Sequence, residues 1–414
     1  MRDGLRYGAL GAPLAFAALP LYVLLPNHYA AQLGVPLAGL GAVLLGTRLL
    51  DALVDPWLGR VVDRGLSRPR AQVLWAAAGA ALLMAAGFVA LFFPPAASAE
   101  SLLAWCALML VITCLGYSAL GVLHQAWGAR LGGGAAAQAR IVGWREGLSL
   151  AGVLAASVLP ALAGIPAMVA TAAALLALAL WALSAAPYRA AGPRRLTAAP
   201  DPQGAWARPW RVGAFRALMA VFVLNGVASA VPATLVIFFI QDRLQAPAGQ
   251  PLFLGSYFAA AALSMPLWVR AVARYGLVRC WLAGMALAIA AFVWAARLGA
   301  GDGAAFAAIC LITGIALGAD LAVPGALLTG VIQRAGHALQ HEGSYFGWWT
   351  CANKLNLALA AGLALPALQA LGYTPGARDE AALSSLALVY AALPCVLKAA
   401  AAALLWHHRP QLER

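Results

Sequence analysis

Charged residues are scarce in this chain, and acidic residues are the scarcest of all. Asp and Glu number 14 among 414 residues, and charged residues together make up 10% of the sequence, whereas 64% of it is hydrophobic. A water-soluble protein of this size needs far more charge to cover its surface. The composition therefore excludes an ordinary soluble domain and indicates a chain that lies mostly in lipid.

Residue patterns that support catalysis are also missing. The six cysteines form no CxxC or Cys/His spacing and fall in or at the ends of apolar runs, so we interpret them as small packing residues. The glycines at 132–134 are not followed by the Lys and Ser or Thr of a phosphate-binding loop. We therefore expect no enzymatic activity, no cofactor and no resident metal.

Long apolar runs dominate the sequence instead. A helix needs ~20 residues to cross ~30 Å of hydrocarbon, and about twelve runs of that length occur. They lie at residues 7–29, 37–60, 71–94, 101–128, 138–163, 166–187, 213–240, 251–272, 279–298, 303–332, 343–371 and 383–406. The sequence thus predicts an all-α membrane protein with 12 transmembrane helices.

The basic residues are distributed unequally between the two ends of these predicted helices. If both termini are cytoplasmic, 20 of the 27 Lys and Arg residues lie on the cytoplasmic side, and only Arg243, Arg297 and Arg378 lie opposite. This asymmetry predicts a multi-pass protein of a bacterial inner membrane with both termini in the cytoplasm. Because the bases are scattered over short loops, we expect the lipid bilayer and no nucleic acid as partner.

A repeat divides the chain into halves. Both repeats end an apolar run and enter a basic turn, and three pairs of matching residues are each 210 positions apart: Pro56/Pro266, Arg60/Arg270 and Arg64/Arg274. A Pro-, Gly- and Arg-rich stretch separates the halves. We predict an N-terminal six-helix bundle at 1–188, a cytoplasmic linker at 189–212 and a C-terminal six-helix bundle at 213–414.

The second apolar run carries charges where lipid disfavours them. Arg48, Asp51 and Asp55 are spaced by three and four residues, which places them on one helix face. Each charge at membrane depth costs about 2.5–3.5 kcal/mol on insertion scales. Two carboxylates one turn apart also repel each other, so we expect them to hold a proton or a metal cation such as Na⁺.

The apolar runs contain further charged residues, and the acids and bases inside the runs are equal in number. The runs contain four acids and four bases in total, which predicts that they pair inside the protein. A static ion-pair network is the alternative to a transport role, and Lys398 could instead extend its amine to the membrane surface. The members outside the second run are Arg145, Glu146, Asp320, Lys354 and Lys398.

The end of the second run resembles a known family signature. Gly59, Asp63, Arg64 and Gly65 are similar to the loop motif between helices two and three of the major facilitator superfamily. The resemblance implies two six-helix bundles and a latch in which the acid caps a neighbouring helix N-terminus. The alternative is a solvated charged turn. We assign gating roles to Arg48, Gly59, Asp63, Arg64, Arg270, Arg274 and Asp320.

A narrower resemblance covers the chain in length and order of runs. Tyr7–Gly8, the segment RLLDALVDPWLG and Lys354 are similar to the glycoside–pentoside–hexuronide:cation symporters, the melibiose permease group. The resemblance implies that Asp51 and Asp55 bind the coupling cation beside Lys354. Sodium users of that group commonly have an amide where Val54 stands here, so we favour H⁺ over Na⁺.

The same resemblance suggests a solute site. It places Trp127 as a platform that stacks on a sugar and Arg145 as a hydrogen-bond donor to it. The helix-one acid of the group is replaced by Ala15, which argues against a simple galactoside. Trp127 could instead lie at the membrane interface, and His124 could be a buried structural histidine. The remaining candidates are Tyr117, His124, Gln125, Glu146, Asn225, Tyr345, Trp348, Trp349 and Asn353, with Asn356 on the same stripe.

Together these observations predict a monomeric secondary active transporter that carries a small solute, a sugar or glycoside, with a cation by alternating access. A symporter of a non-sugar amphipathic solute, lipid-like or derived from peptidoglycan, is the alternative. A non-transporting receptor would need a soluble effector domain, and a membrane enzyme would need a catalytic cluster in a loop. The short predicted loops favour neither.

Overall fold

The computed structural model describes residues 2–95, 98–189, 207–374 and 376–413. These residues form helices joined by short turns, and no strand occurs among them. Within the described ranges, twelve long helices follow one another: α1 (Arg2–Ala30), α2 (Leu37–Leu66), α3 (Arg70–Phe92), α4 (Ala99–Arg130), α5 (Ala135–Pro160), α6 (Leu162–Ser184), α7 (Gly213–Arg243), α8 (Pro247–Tyr275), α9 (Leu277–Arg297), α10 (Gly303–Arg334), α11 (Glu342–Ala370) and α12 (Glu380–Glu413).

Eleven of the helices in the described part of the chain are long and apolar enough to cross a membrane. The twelfth, α2, has 30 residues, which corresponds to about 45 Å at the α-helical rise. It differs from the others because it contains the charged residues discussed above. The prediction of an all-α membrane protein is confirmed.

Helix α2 buries its two central carboxylates and exposes several of its large apolar residues. Asp51 is 6% exposed and Asp55 is 0% exposed, whereas Leu53 is 71% exposed and Trp57 is 60% exposed. A helix of a soluble protein has the opposite arrangement. The outer face of α2 is therefore suited to contact lipid, and the carboxylates face the protein interior.

Proline and glycine separate α5 from α6. The helical run Ala135–Ser184 contains Pro160 and Pro166, and Gly164 between them has a φ of 79°. Proline removes a backbone donor from the helix, and the left-handed region occupied by Gly164 is strained for residues with a Cβ. The predicted gap between the fifth and sixth apolar runs lies at this break.

The chain divides into two compact units. The first consists of Met1–Gly133, Trp144–Arg208 and Ile332–Cys351, and the second of Gly134–Gly143, Pro209–Val331 and Ala352–Arg414. The division into bundles 1–188 and 213–414 stays a prediction, and residues 190–206 of the predicted linker lie outside the described residues. The repeated prolines occupy similar places, because Pro56 lies inside α2 and Pro266 inside α8.

Small residues allow helices of the first unit to approach closely. A Cβ on Gly116 of α4 would lie 2.5 Å from the Ala80 carbonyl oxygen and 2.6 Å from the Met84 nitrogen of α3. Close approach of this kind replaces the hydrophobic driving force that lipid removes. In the second unit an aromatic cluster fills the core, and its members include Phe239, Phe253, Phe306 and Tyr390.

We expect Gly116→Ala to lower the free energy of unfolding by about 1–3 kcal/mol, because the new methyl group would overpack the contact between α3 and α4. Thermal unfolding of the purified protein in detergent measures the change. Gly121 lies on the same helix with no atom within 4 Å of its Cβ position, so Gly121→Ala serves as a control that should be neutral or stabilising. Equal effects at both positions would contradict this account of the packing.

Candidate functional site

The two carboxylates of α2 lie one turn apart on its buried face. The Ser118 hydroxyl of α4 donates a hydrogen bond to Asp51 Oδ1 at 2.7 Å. Asp55 lies one turn further along the helix and is fully buried. The two acids therefore lie on the buried side of α2, and their predicted role in binding the coupling cation stays a prediction. Their predicted contact with Lys354, a half-buried residue of α11, stays a prediction.

Arg48, the third charged residue of this face of α2, stacks its guanidinium on an aromatic ring. The guanidinium carbon of Arg48 is 4.2 Å from the ring centroid of Tyr22 in α1. A cation over an aromatic face is stabilised by the ring quadrupole, more strongly where water is excluded. Arg48 is thus fixed near α1, and its predicted gating role stays a prediction.

The first turns of α11 pack directly on α2 through glycine. A Cβ on Gly347 would lie 2.5 Å from the Asp55 carbonyl oxygen, and Gly343 lies against Gly59 in the same way. Gly343 and Gly347 are four residues apart, the spacing of close helix pairs in membranes. This contact brings the backbone of α11 against the segment of α2 that carries the buried acid.

Asp63 caps the N-terminus of α11. Its Oδ1 accepts the Gly343 N–H at 2.6 Å, and its Oδ2 accepts the Ser344 N–H at 2.8 Å and the Ser344 hydroxyl at 2.6 Å. The first N–H groups of a helix have no partner within the helix, and their dipoles favour an anion. The cap implied by the family resemblance is present, whereas its opening during transport stays a prediction.

A buried ion pair lies beside this cap. Arg130 Nε donates to Glu342 Oε2 at 3.0 Å, and both side chains are almost completely buried. Arg130 Nη1 also donates to the Leu66 carbonyl at 2.6 Å, which satisfies the last turn of α2. We did not predict this pair, because Glu342 lies just outside the predicted run and Arg130 was interpreted only as a marker of orientation.

The side chains of Tyr7 and His124 each bind the backbone carbonyl of the other residue. The Tyr7 hydroxyl donates to the His124 carbonyl at 2.8 Å, and His124 Nε2 lies 2.7 Å from the Tyr7 carbonyl. Both side chains are 1% exposed. The alternative that His124 is a buried structural histidine is therefore favoured by its contacts, and its solute-binding role stays a prediction.

Arg145 forms an ion pair with its neighbour in α5. Its Nε and Nη2 donate to Glu146 Oε1 at 2.9 and 2.6 Å. Gly8 and Gly11 of α1 lie against the backbone at Arg145, so the position of this residue is set by close packing of α1 on α5. Arg145 and Glu146 thus pair with each other inside the protein, as the equal number of acids and bases in the runs suggested. Both side chains remain partly exposed.

Other predicted solute-binding residues differ in accessibility. Gln125 is half-buried and its amide donates to Thr350 Oγ1 at 3.3 Å, and Tyr117 is also half-buried. Trp127 is 1% exposed, and its indole N–H donates to the Pro187 carbonyl at 2.7 Å. These contacts give Trp127 a place in the packing of the first unit, and stacking on a sugar stays a prediction.

The aromatic residues at the start of α11 are largely buried. Tyr345 is 0% exposed and Trp349 is 7% exposed, whereas Trp348 is half-buried. The Tyr345 hydroxyl lies 2.7 Å from His337 Nδ1 in the turn that precedes α11. Asn353 on the same helix is exposed. The residues of this predicted stripe therefore do not share one environment.

Three basic residues with predicted gating roles are exposed. Arg64 ends α2, and Arg270 and Arg274 lie in the last turns of α8. The guanidinium of Arg274 lies 5.3 Å from the ring of Tyr275, its neighbour in sequence. A gating role for these residues stays a prediction, in contrast to the buried contacts of Asp63.

The second unit contains its own network of buried charges. Lys398 Nζ of α12 donates to Asp320 Oδ2 of α10 at 2.8 Å and to Asn225 Oδ1 of α7 at 2.7 Å. The Trp281 indole of α9 donates to Asp320 Oδ1 at 2.7 Å. Lys398 is thus held by a carboxylate inside the unit and does not extend to the membrane surface. This network connects four helices, and it includes the predicted residues Asn225 and Asp320.

Comparisons with known proteins identify the family. A family model described as MFS/sugar transport protein matches residues 5–409, so the chain belongs to this family of the major facilitator superfamily. No curated protein matches the sequence. The predicted membership of the narrower melibiose permease group stays a prediction.

Solved structures of three transporters share the fold. A bacterial homologue of the iron transporter ferroportin in the outward-facing state has a TM-score of 0.68 at 19% identity and covers 97% of this chain and 99% of its own. The E. coli fucose:proton symporter has a TM-score of 0.68 at 13% identity with 96% and 98% coverage. The human organic anion transporter MFSD10 has a TM-score of 0.65 at 18% identity with 96% and 99% coverage. The predicted major facilitator fold is confirmed.

We expect Arg130→Met to lower the free energy of unfolding by about 3–5 kcal/mol, since it would leave the buried Glu342 carboxylate without its charged partner. The double variant Arg130→Met/Glu342→Gln should recover part of this loss, which chemical denaturation in detergent measures. Arg409 pairs with Glu413 at 2.6 Å on an exposed helix surface, so Arg409→Met should cost no more than about 1 kcal/mol. Equal costs for the two single variants would contradict the assignment.

We expect stability to fall on acidification because of His337. Burial, and then the nearby Arg208 charge, lower the pKa of His337 below its ordinary 6.5. The unfolded chain therefore binds a proton as the pH falls through 6.5 while the folded chain does not, and the free energy of unfolding decreases. His337→Gln should lose less thermal stability than wild type between about pH 7.5 and about pH 5.5, whereas the exposed His407→Gln should behave as wild type. Identical pH profiles for all three proteins would refute this role.

Proposed function

We propose that this transporter moves a small solute, a sugar or glycoside, together with a proton. The observation that carries the proposal is the burial of Asp51 and Asp55 one turn apart on a membrane-length helix. Lipid offers no counter-charge to such residues, and the energetic cost of placing them at membrane depth suggests that they have a function. The resemblance of this helix to the cation symporters of the melibiose permease group supports the same function.

The chemistry of this helix favours H⁺ over Na⁺ as the coupling ion. A sodium ion takes several oxygen ligands, whereas a proton needs one carboxylate. Ser118 supplies a further oxygen near Asp51, but its hydrogen bond already occupies the carboxylate at 2.7 Å, and Val54 supplies no side-chain oxygen. A buried carboxylate such as Asp55 can exchange a proton with water when the site opens to one side of the membrane or the other.

Alternating access gives the latch residues a role in this proposal. Asp63 of α2 and Arg130 of α4 both bind the first residues of α11, and moving the start of α11 away from α2 and α4 would break both contacts together. The energy for breaking them would come from solute and proton binding to the alternative state. We propose that this happens at the cytoplasmic ends of the helices in a bacterial inner membrane, with both termini cytoplasmic.

The partly exposed polar residues of the first unit are the best candidates to bind the solute. Arg145, Glu146 and Gln125 have hydrogen-bonding groups that remain accessible, which distinguishes them from Trp127 and His124. A site that combines such donors with the half-buried ring of Tyr117 would suit a hydroxyl-rich ligand. The absence of an acid at Ala15 leaves an amphipathic, non-sugar solute as the second candidate.

We expect solute-dependent proton uptake in liposomes that contain the purified protein and an internal pH dye. A panel of glycosides, polyols, uronides and muropeptide fragments is added outside, with and without sodium. Asp55→Asn should reduce the pH change to the level of protein-free liposomes because it removes the proton-binding carboxylate. Asp3→Asn changes an exposed carboxylate and should retain the activity.

Two outcomes would contradict this proposal. Accumulation of a labelled solute that requires sodium at fixed pH would show that the coupling ion is Na⁺. A pH change that is retained in both Asp51→Asn and Asp55→Asn would show that these residues do not carry the proton.

A further inference from the structure

The second unit encloses a cavity that the proposed transport mechanism does not use. Its volume is about 340 Å³, and residues from α7, α8, α9, α10 and α12 line it. Cavities that bind small molecules have volumes of about 300–1,000 Å³. Most of the lining side chains are apolar, for example Val236, Leu254 and Ile289. A ligand of this cavity must therefore be largely apolar itself.

Aromatic rings line one part of the cavity. Tyr390 lies 5.2 Å from Phe292 and 6.5 Å from Phe306 between ring centroids, and it stacks on Phe239 at 4.1 Å. Tyr390 belongs to a π-helical turn, Leu388–Ala392. Pro394 follows this turn and cannot donate to the Tyr390 carbonyl, which favours a local departure from the α-helix. The sequence of α12, with Pro394 after the π-helical turn, thus helps to place the Tyr390 ring at the cavity.

An ion pair lines another part of the same cavity. Asp320 and Lys398 are both lining residues, together with Ser229, and their side chains are 13% and 10% exposed. All three donors of the Lys398 ammonium have acceptors at hydrogen-bonding distance: Asp320 Oδ2, Asn225 Oδ1 and Ser229 Oγ. The Lys398 ammonium therefore has no free N–H group with which to bind a ligand.

Asp320 has unused hydrogen-bonding capacity. Its Oδ1 accepts from Trp281 at 2.7 Å and from Asn225 at 3.2 Å, while among the residues that the structure describes its Oδ2 accepts from Lys398 only. A carboxylate has about four lone-pair sites, so Oδ2 can accept one more hydrogen bond. The charges of Asp320 and Lys398 cancel, and a charged ligand would add an uncompensated charge to this apolar space.

We propose that this cavity binds an uncharged amphipathic molecule whose apolar body lies among the aromatic rings and whose hydroxyl donates to Asp320. This site lies within one unit and is independent of the proton coupling proposed for Asp51 and Asp55. Such a molecule could come from the bilayer, as an acylglycerol does, or from solution, as a short alcohol does. Both sources offer the same chemistry, an apolar chain with a hydroxyl group.

The test is photolabelling of the full-length protein in lipid nanodiscs with a diazirine-bearing alkanol, followed by peptide mass spectrometry. We expect adducts on cavity residues such as Tyr390 and Phe292, and competition by the unlabelled alkanol. The corresponding methyl ether, which cannot donate a hydrogen bond, and the corresponding carboxylate should compete less well. Equal competition by the methyl ether and the alkanol would overturn the role of Asp320.

A matched pair of variants tests the location. Ala288 is buried and lines the cavity, whereas Ala286 lies two residues away on α9 and is exposed. Ala288→Phe should abolish the adducts by filling the space, and Ala286→Phe should retain them. Adducts that persist in Ala288→Phe would overturn the proposal. The competition series in the wild-type protein remains decisive if that variant does not fold.

Competition also separates the two sources. Displacement of the label by monoacylglycerol in the nanodisc would assign a lipid ligand, and displacement by a water-soluble alcohol would assign a ligand from solution. Either result supports the proposed site. Failure of both classes to displace the label would overturn it.

Discussion

Every charge that this chain places at membrane depth must find its partner within the protein, because lipid supplies neither water nor counter-ions. The contacts of the buried groups follow this constraint. Lys398 is held by Asp320, Arg145 by Glu146, and the Asp51 carboxylate accepts a hydrogen bond from Ser118. The Lys398–Asp320 and Ser118–Asp51 contacts each join two different helices, so satisfying these groups also determines which helices lie together.

Close packing of small residues supports these polar contacts. Lipid is as apolar as leucine, so helices in a membrane gain little by burying apolar side chains against one another. Gly343 and Gly347 bring the start of α11 onto the backbone of α2, and this approach places the first N–H groups of α11 within reach of Asp63. The glycines and the cap are therefore parts of one arrangement, and loss of either would weaken the other.

The two units differ in how their buried charged groups are partnered. In the first unit, Asp51 and Asp55 are buried on one face of α2 and Ser118 donates a hydrogen bond to Asp51, whereas Arg145 and Glu146 remain partly exposed. In the second unit, Asp320, Lys398, Asn225 and Trp281 form a network in which nearly every polar atom is bound. Such a network links four helices, and Asp320 and Lys398 also line the cavity. A ligand is therefore expected to bind where polar side chains still have free hydrogen-bonding capacity.

Local sequence patterns are enough to predict the class of fold and the presence of charged residues at membrane depth. Hydrophobic runs of membrane length are a local property, and the spacing of Asp51 and Asp55 defines a helix face without knowledge of the neighbours. The family signature at Gly59 and Asp63 likewise predicted a cap on a neighbouring helix.

Which side chains meet depends on how the whole chain is folded. Arg130 and Glu342 are 212 positions apart, and nothing in the local pattern of either residue identifies the other. Trp127 and His124 are similar in type to residues of a sugar site, yet their contacts bury them in the packing of the first unit. The cavity beside Asp320 requires five helices to converge. Helix formation depends on neighbours in sequence, whereas pairing, burial and cavities depend on distant segments that come together only when the chain is folded.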